Sequence, residues 1–248
     1  EFDHLDLRCS QNYSWSFQRD PRAVFIRDQF NRDLQLQMNR PAARGDFCHL
    51  FINGLYWGLY NSSERPEASY GNSYIGGKKK NFDVIKSAGF NWAGRYTGMP
   101  DDRPKGPSGF TMHIEATDGN LDAWNDLWRL TNEGNGMKDM VAYAYAIGKK
   151  LDGTKAGHNP LLDPGNLADY MLIILSMGNK DAPLTSGGDR PNNWYAIRNR
   201  NSSEGFQFFI WDAEHSVLSY DIHQDRTGPY LTGDNFEYSN PQYLWEQC

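Results

Sequence analysis

Two stretches of the chain place carboxylates where a reaction could use them. Phe208-Phe209-Ile210-Trp211-Asp212-Ala213-Glu214 ends a strongly apolar strand pattern on an acidic pair, and Asn179-Lys180-Asp181 directly follows an apolar helical pattern. A carboxylate at the mouth of a buried strand loses solvation unless it binds something. A divalent cation carrying phosphates is one such partner, because Mg²⁺ is held by one or two carboxylates plus substrate oxygens. The alternative for Asp212 is a helix or turn cap. A candidate cation lies on Phe82-Asp83-Val84-Ile85-Lys86, whose alternation puts Phe82, Val84 and Lys86 on one face and carries the ammonium inward. A lysine so placed needs a compensating anion, and the sequence predicts Asp212 or Glu64 within its reach. Glu64 is either that partner or a solvated turn residue. Trp57 and Trp211 offer either a stacking surface for a planar ring or mass for a core.

These residues need elements to position them. Residues 2–9 alternate as a strand, with Leu5, Leu7 and Cys9 on one side and Asp6 and Arg8 on the other. Asp20-Pro21 opens a helix whose apolar positions Ala23, Ile26, Phe30, Leu34 and Met38 follow helical spacing, and Pro41 ends it. Residues 49–52 and 55–60 flank Asn53-Gly54, the dipeptide of a type I′ hairpin. Residues 82–86 read as a strand. Gly and Pro punctuate residues 91–109 too irregularly for either period, which predicts a long lid or binding loop. Helices are expected over 120–131, 137–151 and 164–177, the last with Leu167, Tyr170, Met171, Ile174 and Leu175 facing a core. A polar loop over 178–191 then leads into strands at 194–198 and 206–211. Asn240 and Pro241 have the types of an N-cap and first residue of a final helix.

The 248 residues are 39% hydrophobic and 14% aromatic, enough apolar mass for one domain with a real core. With 25 basic and 31 acidic residues the net charge is −6, which lacks the electrostatic footprint of a nucleic-acid binder. Lys78, Lys79 and Lys80 read as a solvated tip. Cys9, Cys48 and Cys248 have neither zinc-ligand spacing nor the even number of a disulfide framework. No stretch approaches the ~18 apolar residues of a membrane span. The chain opens without Met and its last helical pattern stops early, so the sequence reads as a fragment of a longer protein, truncated at its C-terminus.

The segment from His49 to Tyr60, HLFINGLYWGLY, followed by Glu64-Arg65, resembles the "INGxYWGxY…ER" hairpin of the CotH family of spore-coat-type atypical kinases. The likeness continues in order. Phe82 to Lys86 is similar to the family's "DxxYK" strand, Asp118-Gly119-Asn120 with Trp124 to its "DGN…W" helix entry, and Asn166 to Tyr170 to its "N…DY" helix. Asn179-Lys180-Asp181, Asn192-Asn193-Trp194-Tyr195 and Trp211-Asp212-Ala213-Glu214 resemble "NxD", "NNxY" and "WDxD".

The resemblance implies an α+β, bilobal protein-kinase-like fold, with a β-rich lobe over 1–90 and a mainly helical lobe over 91–248. It implies an ATP and Mg²⁺ (or Mn²⁺) site between the lobes and phosphorylation of Ser or Thr in partner proteins of a surface or coat. On this reading Lys86 is the phosphate cation with Glu64 as its ion-pair partner, and Trp211 stacks on the nucleotide. Asp181 is the base-like residue, Asn193 or Asn192 a metal ligand, Asp212 the principal metal carboxylate and Glu214 its second acid. The chain departs from the pattern at Glu214, which replaces an Asp, and lacks a GxGxxG loop. A second reading is a non-catalytic kinase-like scaffold that binds a protein or polysaccharide through exposed aromatic residues. A third, a glycosidase using Asp181 and Asp212, leaves Lys86 and the hairpin without a role. Spore-coat and secreted members of the family suggest an extracytoplasmic or cell-surface setting; the sequons at Asn12, Asn61 and Asn201 are too common by chance to decide it.

Overall fold

The Asn53-Gly54 turn organises the first sheet. In the computed structural model, which describes residues 4–9, 19–88, 114–185, 191–218, 223–228 and 240–248, both turn residues have positive φ, 51° and 81°, as a type I′ turn requires. The turn joins β2 (Gly45–Ile52) to β3 (Leu55–Glu64), and β1 (Leu5–Arg8) pairs with the other side of β3 in an antiparallel order β1-β3-β2. The second sheet is antiparallel β5-β4-β6-β7, built from β4 (Phe82–Ser87), β5 (Ile114–Asp118), β6 (Trp194–Asn199) and β7 (Gln207–Ile210). The helices are α1 (Arg27–Gln37), α2 (Ala68–Tyr70), α3 (Asp122–Asn132), α4 (Met140–Ala146), α5 (Pro164–Ser176) and α6 (Pro241–Gln247). The loop expected over 91–109 lies outside the described residues.

The second sheet is the centre of the molecule because both its faces are apolar. Ile85, Trp194, Ala196, Phe208 and Ile210 pack on Trp124 and Leu127 of α3 and on Tyr170, Met171 and Ile174 of α5. Phe82, Val84, Tyr195, Ile197 and Phe209 pack on Ala68 and Tyr70. Burying each of these large side chains is worth about 1.5–3 kcal/mol. The fold is thus mixed α+β with two antiparallel sheets. Strand β4 hydrogen-bonds to β5 and β6, so residues from both sides of position 90 share one sheet. Three of that sheet's strands, β5, β6 and β7, follow residue 90, alongside the helices α3 to α6.

Two amphipathic readings come out inverted, the second in its first half only. On β1 the apolar residues Leu5 and Leu7 are exposed, and Asp6 and Arg8 are half-buried. On α1 the expected core positions Ile26 and Phe30 are exposed while Arg27, Asp28, Asn31, Arg32 and Gln35 are buried, although Leu34 and Met38 at the C-terminal end of the expected stripe do pack against the core. The reason is a polar interface between α1 and the first sheet, centred on Arg32, which is fully buried. Its guanidinium donates to Ala43 O at 3.2 Å, Ser63 Oγ at 2.5 Å, Gln29 Oε1 at 3.0 Å and Asn61 Oδ1, and pairs with Asp28 at 3.3 Å. A buried charge persists only when so satisfied. The helix expected over 137–151 ends at Ala146, and Gly148 turns the chain with φ of 68°.

Candidate functional site

Strand β7 is an edge strand, and side chains seal its open edge. Gln35 of α1 donates to Phe208 O at 2.6 Å and accepts from the Ile210 N–H at 2.9 Å. Asn166 of α5 accepts from the Phe208 N–H at 2.5 Å. These two fully buried amides satisfy backbone groups that a neighbouring strand would otherwise bind. The strand leads straight into Trp211 and Asp212, so its position sets theirs. Asp212 itself lies in the left-handed region, φ 53° and ψ 46°, uncommon for a residue with a Cβ and a mark of functional sites. It begins the short helical turn Ala213–His215 without a side-chain cap hydrogen bond, so capping is not its role.

The Asp212 carboxylate instead accepts from the Arg8 guanidinium at 2.5 Å. Arg8 also pairs with Asp28 of α1 at 3.4 Å and lies over the Trp211 ring, 4.8 Å from its centroid. Burial works against the Arg8 charge, but Asp212, Asp28 and Glu214 outweigh it and hold the pKa above its ordinary value. Asp28 is the hub. One carboxylate oxygen accepts the Ala213 N–H at 2.9 Å, and the other faces both Arg8 and Arg32. Arg32 is pushed the opposite way to Arg8: burial lowers its pKa, and the nearby Arg8 charge adds to that effect against Asp28. One turn on, Asn31 donates to Ser216 Oγ at 2.8 Å, and Ser216 donates to Ala213 O at 2.7 Å. Asp28, Asn31 and Gln35 share one face of α1 and together grip the chain from Phe208 to Ser216.

The other predicted acid arrives at the same end of the β6–β7 hairpin. Trp194 pairs with Ile210, so Asn193 and Trp211 are the next residues outward on the two strands. Asn193, also left-handed at φ 53°, donates to the Asp181 carboxylate at 3.0 Å, and Asn192 donates to the Asp181 backbone oxygen at 3.0 Å. The Asp181 N–H in turn donates to Asn179 Oδ1 at 3.1 Å. Asp181 and Asn193, twelve positions apart in sequence, are thus direct partners. Of the two neighbouring asparagines, Asn193 is the one whose side chain meets the Asp181 carboxylate.

Lys86 is not part of this group. Its ammonium pairs with Glu115 at 2.8 Å, not with Asp212 or Glu64. The cause is register: Glu115 on β5 stands directly opposite Lys86, and cross-strand neighbours on one face meet. Glu64 is buried and accepts from the Tyr74 hydroxyl at 2.7 Å, and that bond raises the Tyr74 pKa. Trp211 carries Arg8 on its ring and meets Tyr195 edge-on at 5.1 Å. Trp57 is 61% exposed and packs in no core. The residues missed in sequence are Arg8 and Asp28. Their signal was the order of a strand cation followed by a helix acid, the arrangement by which protein kinases hold their phosphate-binding lysine.

The Asp212 and Asp181 carboxylates at this end of the hairpin are oxygen donors, the ligand type a hard divalent cation takes. Among the described residues no three His, Cys, Asp or Glu side chains converge into a closed metal cage. The Asn193 amide meets Asp181 and the Asp212 carboxylate meets Arg8, and Asn193 stands one residue, Asp212 two residues, beyond the paired Trp194 and Ile210 on neighbouring strands. Among the described residues no helix is long and apolar enough to cross a membrane. The family described as CotH kinase protein matches residues 19–247, with β1 and Arg8 ahead of the matched segment. No curated protein matches the chain. The chain belongs to the CotH family, a family named for kinases.

Proposed function

We propose that this CotH-family chain is an ATP-dependent protein kinase that uses Mg²⁺ or Mn²⁺ and phosphorylates Ser or Thr of partner proteins. The observation that carries the reading is Asp212, held on a left-handed backbone at the end of a sealed strand, with Arg8 on its carboxylate and Asp28 fixing both. ATP with its metal would supply the transferable phosphoryl group and neutralise charge on it. Asp212 and Asn193 are the residues to hold the metal, with Glu214 adding negative charge beside them. Arg8 presents a planar fork of donors suited to phosphate oxygens, and Asp28 keeps that fork oriented. Asp181, oriented by Asn193, is the carboxylate to accept the proton of the acceptor hydroxyl.

Phosphoryl transfer relies on such positioning and electrostatics rather than on covalent intermediates. Calorimetry tests the site: wild type binds ATP with Mg²⁺, and Asp212→Asn weakens that binding at least tenfold. Unchanged binding in the variant removes Asp212 from the site.

One observation favours a second reading, a kinase-like scaffold of a surface or coat assembly. The β2–β3 hairpin tip exposes Phe51 and Tyr56, at 60% and 56% and in contact at 5.2 Å, and Trp57 at 61% on the opposite face, and exposed aromatic residues of this kind mark binding surfaces. Glycan or coat-protein binding without ATP binding supports that alternative. Either reading suits an extracytoplasmic or cell-surface setting, which fractionation of the native source tests.

A further inference from the structure

Away from Asp212 the chain builds a second concave surface. Beyond α4, residues 149–155 fold back on themselves. The Lys150 N–H donates to Thr154 O at 2.8 Å, and the Ala156 N–H donates to Gly148 O at 2.9 Å. These bonds flank the Lys149–Lys155 bridge and make it a non-hydrogen-bonded antiparallel pair, in which directly opposite side chains come closest. Like charges directly opposite repel. Neither lysine has a carboxylate within ion-pair distance among the described residues. The acid in the same turn, Asp152, is occupied: it accepts from Thr154 N at 2.9 Å and from Thr154 Oγ1 at 2.6 Å, bonds that hold its pKa below the ordinary value. Both lysines line a cavity of about 320 Å³, together with His158 and with Ser203 of the β6–β7 turn. The His158 ring stacks on Tyr145 with centroids 4.0 Å apart, which gives the cavity a fixed wall. A facing pair of lysines in a concave site, on a chain of net charge −6, marks a place for an anion.

We propose that this cavity binds a phosphoryl group carried on a phosphorylated Ser or Thr side chain of a protein partner. Such a group carries a charge of about −1.5 to −2, which matches two lysines, and its oxygens accept from ammonium and hydroxyl donors. The protein as its source rests on the kinase reading above; the affinity for the group does not. Ser203 lies at the opposite end of the β6–β7 hairpin from Asp212, roughly 20 Å along strands of this length. A phosphorylated segment bound here leaves Arg8 and Asp212 open, and an extended chain of about six residues spans the separation.

The test is fluorescence anisotropy on the full chain with a labelled phosphoserine peptide, its unphosphorylated twin and competing inorganic phosphate. The expected result is phosphopeptide binding at least tenfold tighter than the twin. Lys149→Gln/Lys155→Gln loses that preference, Lys149→Arg/Lys155→Arg keeps it, and ATP–Mg²⁺ binding is the same in all three proteins. Equal binding of the two peptides, or an unchanged preference in the double glutamine variant, overturns the site. Displacement by inorganic phosphate at concentrations equal to the peptide overturns the protein source. A phosphopeptide preference in a wild type that does not bind ATP supports the cavity and overturns the kinase reading alone.

Discussion

Replacing Asp28 by Asn removes one charge from between two guanidiniums and keeps the shape of the side chain. Asp28 is 12% exposed, Arg8 20% and Arg32 0%, with contacts of 3.4 and 3.3 Å. At an effective dielectric near 20 one such contact is worth about 5 kcal/mol before desolvation, and desolvation cancels much of it. Removing one partner of a buried pair typically costs ~3–5 kcal/mol, because the charge left behind is uncompensated. Asn retains an acceptor for the Ala213 N–H, and Arg8 retains Asp212, so the expected loss is about 2–4 kcal/mol. For a chain of this size that is a fall of roughly 5–15 °C in Tm. The assay is thermal or urea unfolding of Asp28→Asn, Arg32→Met and the double variant. Because the double variant leaves neither charge of the Asp28–Arg32 pair buried without the other, it should be more stable than the two single losses sum to, by at least ~1 kcal/mol. A single loss below ~1 kcal/mol, or strictly additive losses, refutes the idea that Asp28 is an electrostatic hub.

Arg8→Ala should weaken ATP binding at least tenfold, ~1.4 kcal/mol, while Lys86→Ala changes it less than threefold; calorimetry giving the reverse order restores Lys86 as the phosphate cation. Gln35→Leu leaves Phe208 O and the Ile210 N–H without their partner and should cost about 2–4 kcal/mol. In that variant the Ile210 amide loses protection in hydrogen exchange, and unchanged protection means the edge is sealed by something else. Asp20 is held at a pKa of about 2, first by the Arg22 side chain and then by the Arg22 backbone N–H. Its depressed folded pKa makes its stabilisation complete above the unfolded value near 3.8, lost as pH falls from about 4 to 2. Asp20→Asn should therefore flatten the acid limb of a Tm-versus-pH curve, and an identical limb contradicts the assignment.

What was legible in the sequence was local. The Asn53-Gly54 hairpin follows from two positive φ angles. The helix start at Pro164 follows from Asp163, whose side chain accepts the Asn166 N–H at 2.9 Å, and the last helix likewise from Asn240, which accepts from Tyr243 N at 3.1 Å. Strands β6 and β7 were legible as short continuous apolar runs buried on both faces, and the apolar stripe of α5 because it faces the core with helical period. The failures share one cause, partners distant in sequence. Strand β5 was not expected, so the Glu115 that takes Lys86 was invisible. The first half of the α1 stripe, Ile26 and Phe30, came out exposed because periodicity finds apolar stripes and does not see a polar interface held by a buried arginine, whereas Leu34 and Met38 do reach the core. By the same rule Arg8 was set opposite the apolar side of its strand, yet its own side is the one that faces the interior, where its partners are Asp28 and Asp212. Asp181 and Asn193 were given separate roles only through resemblance, and their direct contact, across twelve positions, was not foreseen.

The most direct measurement of the central claim is transfer of label from γ-labelled ATP. The full chain is incubated with Mg²⁺ or Mn²⁺ and a Ser/Thr-containing acceptor protein, beside Asp212→Asn and Asp181→Asn proteins matched for folding by circular dichroism. Asp212 and Asp181 placed as they are at one end of the β6–β7 hairpin predict incorporation by wild type, none above background by Asp212→Asn, and a fall of at least a hundredfold for Asp181→Asn. Equal incorporation by wild type and Asp212→Asn contradicts the account.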